Sequence, residues 1–187
     1  MADEFGVTAW GRAWLRTIEK TAAIGPNPAL PTARGLARSG AVTFGEISTG
    51  TVAAEVTAKG RTSTVHIAVP RWSASDVDGV RELLHTDEAA SRTAITGELA
   101  DGIVTELNSR GIAVAVDLVE CVSTCTCTSR RTPCTHQLAT VYALVGRIDE
   151  EPALALTLRS TKPTSPTASE PEWIPLCEID VEAFYEN

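Results

Sequence analysis

No apolar run in the 187-residue chain approaches the roughly 20 residues that cross a bilayer. The longest uncharged apolar stretches are Gly111 to Val116 and Leu138 to Gly146. A transmembrane helix is therefore not expected. The start, Met1-Ala2-Asp3-Glu4-Phe5, is acidic and lacks a basic cluster followed by an apolar core, so no secretory signal is expected and the cytoplasm is the simplest location. Also missing is a balanced cysteine set. There are five cysteines, and three crowd between Cys125 and Cys134, which suits metal or redox chemistry better than an extracellular disulfide framework. No phosphate-binding loop, nucleotide motif or nucleophile with its base occurs, so an enzyme of its own would rest on no motif.

The composition is that of a globular protein, with 43% apolar, 21% charged and 5% aromatic residues. A chain of this length can bury most of its apolar surface without a metal, so a metal site calls for its own explanation. Net charge is -8, unevenly spread. Residues 1 to 71 hold eight Lys or Arg against five Asp or Glu; residues 72 to 187 hold eight against nineteen. Such an acidic balance disfavours strong nonspecific binding to nucleic acid, while a local basic patch can still touch phosphate.

Periodicity orders the elements. Trp10, Trp14 and Ile18 recur every four residues and predict an amphipathic helix, with Arg12, Arg16 and Lys20 as a basic stripe on a solvated face. Gly25 to Pro31 should end it, leaving a loop with Arg34 and Arg38 up to Gly40. Residues 41 to 69 predict a three-stranded meander with turns at Thr49-Gly50 and Lys59-Gly60-Arg61. His66 lies within its last strand as an ordinary strand residue. A helix is expected from Ser73 to His85, His85 favouring the helix dipole of the last turn, and another from Glu88 to Arg110, weakened at Gly97. Ile112 to Val119 alternates like a strand, and Leu138, Val141, Tyr142, Val145 and Ile148 mark the firmest helix. Ala153 to Leu158 reads as a short helix or strand.

The chemistry lies in Cys125-Thr126-Cys127, six residues, then Cys134-Thr135-His136. Residues two apart on an extended backbone face one side, so Cys125 and Cys127 can meet one ion. Pro133 disfavours helix before the second pair, and Thr135 is a candidate cap for a helix whose positive end favours thiolate. Three thiolates and one imidazole complete a tetrahedral Zn2+ site with no open position, so the metal should be structural. A CxC redox pair is the competing reading. Cys121 would sit about 13 Å along a strand from Cys125, too far to share the ion unless a turn intervenes at Val122 to Thr124.

This pattern resembles the SWIM zinc finger, found beside Swi/Snf-type ATPases, in transposases and in ubiquitin ligases. Phe5-Gly6-Val7-Thr8-Ala9-Trp10-Gly11-Arg12-Ala13-Trp14, Ala37 to Gly40 and Glu150-Glu151-Pro152 are similar to stretches of the bacterial SWIM zinc finger family proteins. The sequence departs from that pattern at Ala9, where a second Trp is common, at Arg130-Arg131, and in its acidic extension after Thr161. The resemblance implies Cys125, Cys127, Cys134 and His136 as ligands, binding to protein or DNA, and no enzymatic activity.

The expected fold is α+β: an N-terminal helix, a small antiparallel sheet and a helical middle (residues 1–111), then a SWIM-type finger with its following helix (112–160). A linker (161–171) leads to an acidic and apolar segment (172–187) that carries Cys177. Function is expected to be that of a zinc-stabilised adaptor for a protein partner; a helicase-like ATPase is the partner the resemblance implies. The alternative is a nucleic-acid-binding accessory protein with weak electrostatic contacts from Arg130, Arg131, Arg12, Arg16 and Lys20.

Overall fold

The computed structural model describes residues 5–19, 27–86 and 99–160. Their order is α1 (Ala9–Glu19), α2 (Leu30–Arg38), β1 (Val42–Ser48), β2 (Thr51–Ala58), β3 (Arg61–Ala68), α3 (Ala74–Thr86), α4 (Asp101–Ser109), β4 (Val122–Cys125), α5 (Thr135–Glu150) and α6 (Ala153–Arg159). This is the expected α+β class, with an N-terminal helix and a long helix after the cysteines. Among the described residues no helix is long and apolar enough to cross a membrane. The expected linker and the segment 172–187, Cys177 included, lie outside the described residues, as does the whole stretch from Glu88 to Gly97.

The meander forms where it was expected and gains a fourth strand. The sheet is antiparallel in the order β1-β2-β3-β4, so β4 is an edge among the described residues. Lys59 and Gly60 join β2 to β3 with φ of 52° and 73°, the doubly positive geometry that a two-residue hairpin of native twist requires. Period-two burial places Val52, Ala54 and Val56 on the same inner face as Ser63, Val65 and Ile67. His66 points the other way and is exposed.

Against that inner face lies α5. Leu138, Ala139, Val141, Tyr142, Leu144, Val145 and Ile148 are all buried, and they occupy more than one stripe of the helix. A helix apolar on most sides must be covered on most sides. Here α1, α2 and α6 cover it together with the sheet. From α1 come Trp10, Trp14 and Ile18, each at most 3% exposed; burying a large side chain of this kind contributes roughly 1.5–3 kcal/mol.

The far end of α5 anchors the chain's beginning. The Asp149 carboxylate accepts from Gly6 N (2.6 Å), Thr8 N (2.8 Å) and Thr8 Oγ1 (2.8 Å), while Phe5 packs on Tyr142 at 5.6 Å between centroids. Gly11 lies under the same carboxylate: a Cβ there would stand 2.1 Å from Asp149 Oδ1. The Phe5 to Trp14 stretch and the residues around Glu150 are thus two halves of one packing contact.

Two expectations are corrected. Residues 30–38, expected as loop, form α2; Pro31 stands in its first turn, where the missing N–H costs nothing. The alternation of Ile112 to Val119 is not a strand. Val114, Val116 and Leu118 are buried while the backbone pairs with no ladder, and the Trp72 indole N–H donates to Ala113 O at 2.9 Å. One-sided burial along an irregular segment copies the strand pattern. The strand follows at Val122–Cys125, and of the expected middle helix the described part is Asp101–Ser109.

Candidate metal centre

Two elements bring the ligand pairs together. β4 lies against β3, with Cys125 opposite Val65, and the pairing continues one residue further: Thr126 N donates to Thr64 O (3.0 Å) and Thr64 N donates to Thr126 Oγ1 (2.9 Å). Cys125 and Cys127 flank that pinned Thr126. The second pair sits at the start of α5. Cys134, not Thr135, is the N-cap: its extended backbone (φ -81°, ψ 169°) lets Sγ accept from Gln137 N at 3.5 Å. Gln137 Oε1 in turn accepts from Cys134 N at 2.7 Å, completing a capping box.

The donor atoms of Cys125, Cys127, Cys134 and His136 all lie within 4.8 Å of one another. Cys125 Sγ and His136 Nδ1 are 3.8 Å apart. A tetrahedral ion with bonds of about 2.3 Å to sulfur separates its sulfurs by about 3.8 Å, so the four side chains need little adjustment to share one cation. Around them, Gln137 Nε2 donates to Ser123 Oγ (2.9 Å) and Thr140 Oγ1 to His136 O (3.0 Å). Gln137 therefore ties β4 to the helix that carries the second ligand pair.

Two of the three crowded thiols resist ionisation on their own. Burial pushes Cys125 up to about 12 and raises Cys134 as well. Burial acts in the same sense on Cys127, but the Ser129 backbone N–H, His136 and the two other thiols outweigh it and bring this thiol down to about 7. A bound dication reverses the balance, because coordinating thiols are deprotonated outright. Cys134, Cys125 and Cys127 are all free thiols.

No family model matches the chain. It is 26% identical over 154 residues to "Uncharacterized protein Rv2102" of Mycobacterium tuberculosis (strain ATCC 25618 / H37Rv), an alignment covering 81% of this chain and 54% of that protein. The chain thus spans about half the length of the relative it matches. No solved structure matches.

Cys121 does not join the group. It is half-buried just before β4, and burial pushes its thiol up to about 11. The basic residues expected to touch nucleic acid are not gathered together. Arg130 and Arg131 are exposed in the loop between the ligand pairs. Arg12, one turn after the contact with Asp149 at the far end of α5, pairs with Asp101 at 3.4 Å and donates to Val7 O. Arg16 lines a hollow with Asn108, Asp117, Glu120 and Arg159. Lys20 lies outside the described residues, and Arg34 pairs with Glu19 at 3.1 Å while lying over the Tyr142 ring. Sequence reasoning missed Gln137, Asp149 and Ser123. For Gln137 a signal existed: a Gln three residues after a capping residue is the mark of a capping box.

Proposed function

We propose that this chain is a SWIM-type, zinc-binding interaction module whose metal is structural, and that it acts as an adaptor for a protein partner. The observation that carries the metal assignment is the convergence of three cysteines and one histidine from two elements within 4.8 Å. Zinc suits that donor set, and four protein ligands leave no position for a substrate or an activated water, so the module has no catalytic role of its own. Thiols kept reduced for a metal belong in the cytoplasm.

The open edge of β4 favours the adaptor reading over others. Val119 and Val122 are each 72% exposed beside it, and an edge strand bordered by apolar side chains suits a partner that adds a strand of its own. A helicase-like ATPase is the partner we infer, from the resemblance alone. Protein purified without chelators should contain one zinc per chain, and Val122→Lys should keep the zinc while losing the co-purified ATPase. A metal-free preparation, or a Cys127→Ser variant with full metal content, refutes the zinc assignment; unchanged ATPase recovery refutes the edge.

A second reading rests on Arg130 and Arg131, which the loop between the ligand pairs presents to solvent. It is weak, sequence-independent contact with nucleic-acid phosphates. Affinity measured against salt tests it.

A further inference from the structure

Beside the metal centre, between α2, the β2–β3 turn and the loop after Cys125, opens a groove of about 730 Å³. Lys59 and Arg61 stand at the turn, Leu36 and Ala58 supply apolar surface, and Thr126 and Thr128 line the side nearest the metal. Among the described residues no carboxylate lines it. In a chain of net charge -8 this leaves the patch without acidic compensation, whereas Arg12, Arg34, Arg81, Arg110 and Arg147 each pair with a carboxylate. Among the described residues Lys59 and Arg61 form no ion pair, nor do Arg130 and Arg131 in the neighbouring loop.

We propose that this groove holds the chain's own C-terminal segment, residues 172 to 187. The inference does not depend on the identity of the metal. Glu178-Ile179-Asp180-Val181-Glu182 alternates acid and apolar residue without a break. Laid out as a strand, it turns three carboxylates to one side and Ile179 and Val181 to the other. That matches a groove offering two unpaired cations and an apolar wall. The competing hollow around Arg16 and Arg159 also contains Asp117 and Glu120, which repel such a segment.

The tether reaches. Leu158 O accepts from Gly50 N (3.0 Å) and Arg159 O from Trp72 N (2.7 Å), so the described chain ends at the Thr49-Gly50 end of the sheet. Lys59 stands at the opposite end of β2, eight residues or roughly 25 Å away. The eleven residues from 161 to 171, with prolines at 163, 166 and 171, extend about 34 Å at about 3.1 Å per residue. Tethering of this length raises the local concentration to the millimolar range, so a weak contact suffices to keep the groove filled.

The test is zero-length carbodiimide coupling of the full chain, which joins a lysine amine to an activated carboxylate as an amide. The lysines are Lys20, Lys59 and Lys162, so the products are few. Lys59 should couple to Glu178, Asp180 or Glu182 within one chain, giving no mixed pairs when light and heavy-isotope protein are combined. The product should be lost at roughly 1 M salt, where the Debye length is about 3 Å. Arg61→Glu and Thr128→Glu, both at exposed positions that leave Lys59 and the segment intact, should each reduce it several-fold with the circular dichroism unchanged. Coupling of the segment to Lys20 in place of Lys59, mixed-isotope pairs that mark a second copy, or a Lys59 product indifferent to both substitutions would each overturn the proposal. Because Cys127 and His136 also line the groove, the coupling is run on protein whose zinc content is measured in parallel, so loss of the product with the metal retained overturns this proposal and leaves the zinc assignment standing.

Discussion

Replacing Gln137 with Ala tests whether the metal centre is held by the protein or only by its ion. Gln137 is 3% exposed, and its side chain makes two bonds, accepting from Cys134 N and donating to Ser123 Oγ. Loss of the bond to Ser123 should cost about 0.5–1.5 kcal/mol. The Cys134 amide, left buried without an acceptor, adds about 1–3 kcal/mol. The total of about 2–4 kcal/mol falls on the geometry that presents Cys134 and His136, so part of it should be read as metal affinity, about 10–100-fold weaker. Competition with a chromophoric chelator measures the affinity, and thermal unfolding with metal bound measures the remainder. Ser123→Ala, which loses only the outer bond, should cost about 0.5–1.5 kcal/mol. Gln137→Ala protein that matches the parent in both measurements would refute the reasoning, because the ion alone would then fix the ligands.

Metal binding near pH 7 should release two to three protons from the thiols, since Cys125 and Cys134 are held protonated and Cys127 is about half ionised at about 7; calorimetry in buffers of different ionisation enthalpy counts them. The sign follows: acid competes with the metal, so affinity falls as pH falls. Gly11→Ala should be strongly destabilising, Asp149→Ala should cost about 2–4 kcal/mol through lost bonds to a carboxylate, and the double variant should cost less than the two added together, as denaturant unfolding will show. If nucleic acid binds, Arg130→Ala/Arg131→Ala should lower the slope of log affinity against log salt by about one to two units.

The candidate Cys/His cluster was legible because metal chemistry restricts residue type and spacing together. The meander was legible because β-branched residues alternate between turn residues, and α5 because five apolar residues kept helical spacing. What the sequence hid depends on partners distant in the chain. Asp149 looks like any acid at a helix end until Gly6 and Thr8, more than 140 residues earlier, are brought to it. α2 was missed because Pro31 reads as a breaker, although its first-turn position is compatible with helix. Ile112 to Val119 misled for the opposite reason: period-two burial records which side faces the core, and it does not record whether a neighbouring strand is there to pair.

The pairing of β4 with β3 joins residues about sixty positions apart, Val65 with Cys125, through only four residue pairs. Contacts of such separation form late in folding, after the local hairpins of β1, β2 and β3, because a long loop must close before they are rewarded. A cation held by the four donors would reinforce this late step, closing β4 onto a helix made after it. Chelation in a cell should therefore do more than remove an ion. With β4 released, β3 becomes the sheet's margin and presents unpaired backbone groups from Val65 to Ala68, with Val65 and Ile67 alongside, to any other extended chain. Metal starvation would be expected to convert this protein into an aggregation-prone species before it loses its hairpins, with the insoluble fraction rising while strand content persists.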